Sequence, residues 1–349
     1  MTEPLVIALD AMGGDHAPNI VIKGAHIARE RYPDIHFLIY GDEARIKRQL
    51  RRRRRLRGCV TVHHTDEVVP GDASLGVALR GGRNSSMRLA IDAVRDGEAA
   101  GVVSAGNTGA LMAMAKIALK TLPGIDRPAI ASFFPTLEGE SVMLDLGANV
   151  VCDANNLVEF AVMGQIFART VLGFVEPTVG LLNVGSEEMK GHEEIRAAHA
   201  ILREDSLPLK YHGFIEGDDI ARGTVDVVVT DGFSGNIALK TAEGTARLVT
   251  TFLSDAFRSS LSSRLGYLLA HRALKKLRAR IDPRRYNGAM FLGLNGIVVK
   301  SHGGTDALGF ANAIGVAADM AQGNINERIK EELAHPTWTV EDEAAKAAV

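Results

Sequence analysis

Leu5-Val6-Ile7-Ala8-Leu9-Asp10-Ala11-Met12-Gly13-Gly14-Asp15-His16-Ala17-Pro18 is the stretch that decides the fold class. Its first five residues are apolar without alternation, the mark of a strand covered on both faces. A polar turn with two glycines follows, and residues 20–31 then read as a helix. The same order of strand, polar turn and helix returns along the chain. His36-Phe37-Leu38-Ile39-Tyr40 ends at Gly41-Asp42 ahead of another helix. Further strands are expected at residues 101–104, 142–146, 179–183, 225–230 and 297–300. Such a sequence specifies an α/β protein of three α/β/α layers around a mostly parallel sheet.

In open sheets of this kind, ligands bind beyond the carboxyl ends of the strands. Five polar, mostly glycine-bearing segments are expected there, at residues 10–16, 104–109, 145–149, 183–191 and 231–236. Their shared character predicts a single rim lining an active site.

Composition narrows the classes. The chain has 349 residues and 46% hydrophobic residues, enough for a sizeable core, with 36 glycines and few aromatics. Net charge is −2, which argues against wholesale nucleic-acid binding. Cys59 and Cys152 make neither a C-x-x-C pair nor a zinc spacing, so a reducing cytosol is the expected compartment. Residues 59–62 read as a buried strand. No run of about 18 apolar residues offers a spanning helix, and the first 30 residues lack a signal-peptide core. No internal repeat stands out. The arginines of residues 51–55 read as a solvated helix end or loop.

Residues 236–285 differ from the rest. Ala238, Ala242, Ala246, Val249, Leu253 and Phe257 keep helical spacing, and the apolar phase then shifts. The shift predicts a break near Gly266 and two antiparallel helices, with Leu265, Gly266, Tyr267, Leu268 and Leu269 at or near the tip. Arg264, Arg272, Lys275, Lys276, Arg278, Arg280, Arg284 and Arg285 surround those apolar residues. Such a hairpin either packs its apolar face on the core or projects for dimerisation and contact with anionic lipid. The expected organisation is one catalytic domain over residues 1–340, this arm within it, and a tail at 341–349.

The motifs of common nucleotide enzymes and hydrolases are missing: no G-x-G-x-x-G after a strand, no P-loop, no G-x-S-x-G. Ser104-Ala105-Gly106-Asn107-Thr108-Gly109 instead joins a strand to a helix, where outward N–H groups favour phosphate, unless it is a plain cap. Gly13, Gly14, Asp15 and His16 lie in an equivalent turn. Lys190 offers a positive charge in a strand-end loop. Asn236 opens the long helix as a cap or as a donor to a reacting carbonyl. Asp226 and Asp231 are conceivable metal ligands, but they do not form a full set.

The ordered set of motifs closely resembles the phosphate acyltransferase family of bacterial phospholipid synthesis, the acyl-carrier-protein:phosphate transacylases. The matching stretches are Ala8-Leu9-Asp10-Ala11-Met12-Gly13-Gly14-Asp15, Asn84-Ser85-Ser86-Met87, residues 104–110, Leu122-Pro123-Gly124-Ile125-Asp126-Arg127-Pro128, Leu146-Gly147-Ala148-Asn149, residues 183–191, residues 230–236 and Val298-Val299-Lys300-Ser301-His302-Gly303. They cover nearly the whole chain. The sequence departs from the family pattern at Val151, at Gly81-Gly82 and in the five-arginine run.

The resemblance implies an isocitrate/isopropylmalate-dehydrogenase-like fold, a homodimer, and a cytoplasmic enzyme held peripherally on the inner face of the cell membrane by the arm. It implies acyl carrier protein and inorganic phosphate as partners, with no cofactor, no metal and no nucleic acid. Lys190 and Asn236 match positions the family uses in catalysis, with His16 beside them. Gly13, Gly14, Asp15, Ser104, Gly106, Asn107, Thr108 and Gly109 are expected to bind phosphate. Asn149, Asn183, Ser186, Asp231 and Ser234 are expected on the carrier-facing rim. The chemistry expected is direct displacement: phosphate attacks the thioester, and neither cysteine has an evident base partner. The alternatives are a short-chain acyl-CoA:phosphate transferase, a metal- and NAD-dependent dehydrogenase on the same fold, and a non-catalytic membrane scaffold.

Overall fold

The computed structural model describes residues 4–204, 207, 209–280, 284 and 286–334. The expected tail at 341–349 and Arg285 of the basic flank lie outside them, as do the side chains of Arg278 and Arg280.

Among the described residues, eleven strands form one sheet. In chain order they are β1 (Val6–Asp10), β2 (His36–Gly41), β3 (Val60–His64), β4 (Gly101–Ser104), β5 (Ala129–Pro135), β6 (Glu140–Leu144), β7 (Thr178–Leu182), β8 (Lys210–Ile215), β9 (Val227–Val229), β10 (Ala289–Leu292) and β11 (Ile297–Lys300). Their order across the sheet is β3-β2-β1-β4-β11-β10-β5-β6-β9-β7-β8. Alternation in β1 shows why both faces are covered. Ile7 and Leu9 enter one core with Val21, Ile22 and Phe310, while Ala8 enters the other with Met87, Ile91 and Leu111. Helices supply both sides, which gives the three layers.

The sheet has two parallel halves of opposite sense. Strands β3, β2, β1, β4 and β11 pair in parallel, as do β6, β9, β7 and β8. Between them β10 runs antiparallel to both β11 and β5, and β5 antiparallel to β6. Sequence reading misses β5, β8 and β10, and β5 and β10 are the strands that reverse the sense. Strand β3 is at the sheet edge with its residues partly or fully exposed, so only Cys59 of the stretch read as buried is buried.

The arm departs in detail from expectation. One helix runs Gly232–Arg258 and the next Leu261–Arg280, so the break falls at Ser259-Ser260, ahead of Gly266. Phe257 and Tyr267 stack edge-on with centroids 5.5 Å apart. Ten residues of unbroken helix would separate them by about 15 Å, so the chain bends sharply here. Only Gly232 and Gly235 of the first helix are buried. Its outer turns leave Leu248, Val249 and Phe252 exposed, and the second helix leaves Leu261, Leu265, Leu268 and Leu269 exposed. The arm therefore projects from the body of the chain. Among the described residues, no helix is long and apolar enough to cross a membrane.

Candidate functional site

The strand-end turns fall into two groups, because the two halves of the sheet point their carboxyl ends oppositely. Each cluster is built on a buried aspartate at the end of a strand.

Asp10 organises the first. Its Oδ1 accepts from the backbone N–H groups of Met12 and Gly13, both at 3.2 Å, and from Ser86 Oγ at 2.6 Å. Its Oδ2 accepts from Ser104 Oγ at 2.7 Å. Gly13 has no room for a side chain: a Cβ would lie 2.5 Å from Asp10 Oδ2 and 2.6 Å from Gly106 N. The two glycine turns therefore meet backbone to backbone. Gly106 N–H donates to Ser104 Oγ at 3.1 Å. Asn107 caps the helix Thr108–Leu119 by accepting from Ala110 N–H at 2.9 Å, and its amide donates to Gly71 O at 2.8 Å. Thr108 and Gly109, in the first turn, are exposed. Asp15 and His16 are exposed on the outer lip, and Asp15 N–H donates to Gly303 O at 3.0 Å. Of the expected phosphate residues, Gly13 N–H and Gly106 N–H are thus already engaged within the protein.

Asp145 organises the second. It accepts from the N–H groups of Ile130, Gly147, Ala148 and Asn149 at 2.9, 3.2, 3.0 and 2.7 Å, and from Asn149 Nδ2 at 3.0 Å. Burial pushes its carboxyl upward, while those hydrogen bonds oppose the shift. Asp231 caps the long helix by accepting from Ser234 N–H at 2.8 Å and Ser234 Oγ at 2.9 Å. Asn236, one turn on, donates from Nδ2 to Leu146 O at 3.0 Å. Asp226 accepts from Thr178 N–H and Oγ1, both at 2.8 Å, and so ties β9 to β7. Among the described residues, no group of three or more His, Cys, Asp or Glu is placed to hold a metal.

Asn183 shapes the loop that ends β7. Its Oδ1 accepts from Val184 N–H at 2.9 Å and its Nδ2 donates to Lys190 O at 3.1 Å. The loop turns the Lys190 and Ser186 side chains out to solvent. Cys152 Sγ lies beside Asn149 O, and burial pushes its thiol up to about 12, with Asp145 adding to the shift.

Asp10 and Asp145 are the site-building residues that sequence reading overlooked as candidates. Both follow an apolar run and precede a glycine turn, in Leu9-Asp10-Ala11-Met12-Gly13 and Leu144-Asp145-Leu146-Gly147. That shared order is the available signal, although the aspartate-to-glycine spacing differs by one residue and it falls short of a sequence repeat.

The fold is shared with solved phosphotransacylases. A phosphotransacetylase from Streptococcus pyogenes superposes with a TM-score of 0.60 at 18% identity, covering 92% of this chain and 95% of that one. A branched-chain phosphotransacylase from Enterococcus faecalis gives 0.56 at 12% identity, covering 91% and 99%. The family model described as "Fatty acid synthesis protein" matches residues 5–328. A phosphate acyltransferase of Rhodospirillum centenum is 69% identical over 334 residues, 96% of this chain and 94% of that protein. One from Rhodospirillum rubrum is 61% identical, covering 96% of each. This chain belongs to the phosphate acyltransferase family of fatty acid synthesis proteins.

Proposed function

We propose that the chain transfers a long-chain fatty acyl group from acyl carrier protein to inorganic phosphate, by direct attack of phosphate on the thioester, giving an acyl phosphate for phospholipid synthesis. Membership of the phosphate acyltransferase family supports acyl transfer to phosphate. The observation that carries the site assignment is the backbone contact between Gly13 and Gly106 at the head of a 12-residue helix. It sets two glycine turns beside the exposed first turn at Thr108 and Gly109.

In this reading phosphate sits at the Asp10 cluster with His16 on its lip, and the thioester comes from the Asp145 side. Asn236 has two amide hydrogens. One is fixed on Leu146 O, which orients the other toward the thioester carbonyl. Lys190 sits on a loop free to reach phosphate or the developing oxyanion. The leaving thiolate needs little help, since an ordinary thiol has a pKa of roughly 8.5. What remains for the protein is positioning, worth about 7–11 kcal/mol, and oxyanion stabilisation, about 2.7–4 kcal/mol per good donor. The protonated, buried Cys152 argues for a route without a cysteine acyl-enzyme.

The uncovered apolar arm supports a homodimer built through the long helix, with peripheral lipid contact through Leu265, Tyr267, Leu268 and Leu269 and the flanking basic residues. The decisive experiment incubates the protein with palmitoyl-carrier protein and phosphate and traps acyl phosphate as its hydroxamate. No hydroxamate above the phosphate-free control rejects the reading. Preference for acetyl-CoA in direct competition favours the short-chain alternative.

A further inference from the structure

Lys300 is the last residue of β11, in register with Ser104 of β4, and Ser301 N–H donates to Ser104 O at 2.8 Å. Register neighbours in a parallel pair share a face, so the Lys300 side chain leaves the sheet beside Ser104, the residue that holds Asp10 Oδ2. The side chain is partly buried, and its Nζ donates to Ser301 O. Among the described residues, no carboxylate forms an ion pair with it. Asp10 is already hydrogen-bonded by Met12, Gly13, Ser86 and Ser104. Burial pushes the Lys300 amine down to about 8, with the charges of Asp10 and then Asp15 opposing that shift.

These facts leave an electrostatic problem for any phosphate bound over the two glycine turns. Asp10 and Asp15 both carry negative charge there, and an anion approaching them without a local cation is repelled. An ammonium has three donors, and one is directed to Ser301 O. We propose that Lys300 is the cationic floor of the phosphate subsite, neutralising Asp10 and Asp15 so that a phosphate dianion can settle on the turns at Gly13 and Gly106. The inference rests on the reading that this chain acylates phosphate, and it gives phosphate a specific partner within the Asp10 cluster.

Lys300→Met, Lys300→Arg and wild type are compared in two measurements. One is steady-state turnover with phosphate and acyl donor varied separately. The other is the rise of Tm with added inorganic phosphate, which needs no turnover. Lys300→Met is expected to raise KM for phosphate by about tenfold or more, to leave KM for the acyl donor within about twofold, and to lose the phosphate-dependent Tm rise. Wild type is expected to weaken for phosphate from about pH 8 to about pH 10, as the amine discharges over a range in which phosphate is already largely dianionic. Lys300→Arg, always protonated, is expected to keep its affinity over that range. A Lys300→Met protein with wild-type phosphate KM and Tm response overturns the proposal. If that variant does not fold, a Lys300→Arg protein with the wild-type pH dependence overturns it. Wild type that gains Tm from phosphate yet never forms acyl phosphate defeats the functional reading alone, because the Tm arm still tests Lys300.

Discussion

Asn236 and Leu146, ninety residues apart in sequence, are joined by a hydrogen bond of 3.0 Å from the side-chain amide of one to the backbone carbonyl of the other. The bond locks the first turn of the long helix onto the turn organised by Asp145. Gly147 lets the two approach. Its φ is +124°, and a Cβ there would lie 2.8 Å from Asn236 Nδ2. Gly147→Ala is therefore expected to cost about 1–3 kcal/mol of stability from backbone strain and to displace Asn236. Turnover is expected to fall with it, toward the roughly 10²–10³-fold loss that removal of an oxyanion donor gives. Urea unfolding and kcat on the same preparation check both. A folded Gly147→Ala enzyme with wild-type kcat would show that the contact does not position Asn236 for chemistry.

Gly13→Ala tests the other cluster by a different mechanism. The new methyl would meet Asp10 Oδ2 and Gly106 N, neither of which can swing away as the end of a flexible side chain. Overpacking of this kind costs about 1–3 kcal/mol. The expected phenotype is a lowered urea midpoint together with weakened phosphate saturation. An unchanged phosphate KM in a folded variant would place phosphate elsewhere.

Neither thiol is expected to take part in acyl transfer. Cys152 is held protonated by burial, and Cys59 is buried with its Sγ directed at Arg55 O. Cys152→Ala should keep turnover within about threefold, because only a small buried group is exchanged. Iodoacetamide should label the native protein slowly. Rapid labelling that parallels loss of activity, or an acyl-protein adduct surviving an acid quench, would refute direct displacement.

The two helices of the arm make separable predictions. Leu268 lies in the second helix and is 69% exposed, whereas Phe252 lies in the outer part of the first and is 63% exposed. Leu268→Glu should weaken sedimentation with anionic vesicles and leave the oligomeric state unchanged. Phe252→Glu should shift the sedimentation-velocity profile toward monomer. If Leu268→Glu sediments with vesicles as wild type does, the exposed leucines of the second helix are not the lipid contact.

Much of the fold was legible because buried parallel strands write themselves as apolar runs. Residues 5–9, 101–104 and 297–300 needed only burial on both faces to declare themselves. Strands β5 and β10 did not, since Ala129–Pro135 and Ala289–Leu292 carry no strand-turn-helix context. Missing them hid the reversal of the sheet, and with it the grouping of the strand-end turns around Asp10 and Asp145. Site chemistry was legible where a residue type is rare in its setting, such as glycine pairs after a strand. It was hidden at Asp10, Asp145 and Lys300, whose importance comes from neighbours far away in sequence. The bend in the arm at Ser259-Ser260 precedes the expected break near Gly266, because apolar phase reports a break only after a few residues have accumulated.

Glu159 gives the clearest pH signature of stability. It lies on the helix Ala154–Phe167, partly buried, and its Oε2 accepts from Asp126 N–H at 3.1 Å. Burial pushes its carboxyl up from 4.5 to about 7, and the carboxylates of Asp126 and Asp153 add to the push. The folded chain thus holds this proton more tightly than the unfolded chain. Stability from the group is fully present below the unfolded value and is lost as pH rises through the folded one. The window is therefore about pH 4.5 to 7, and the upper bound on the effect is roughly 3 kcal/mol, at 1.36 kcal/mol per pH unit. Glu159→Gln keeps an acceptor for Asp126 N–H and removes the charge. Its Tm should match wild type near pH 5 and exceed it near pH 8. The difference between the two Tm curves isolates this carboxyl from every other titrating group, so parallel curves across that range would mean that Glu159 ionises as freely in the folded chain as in water.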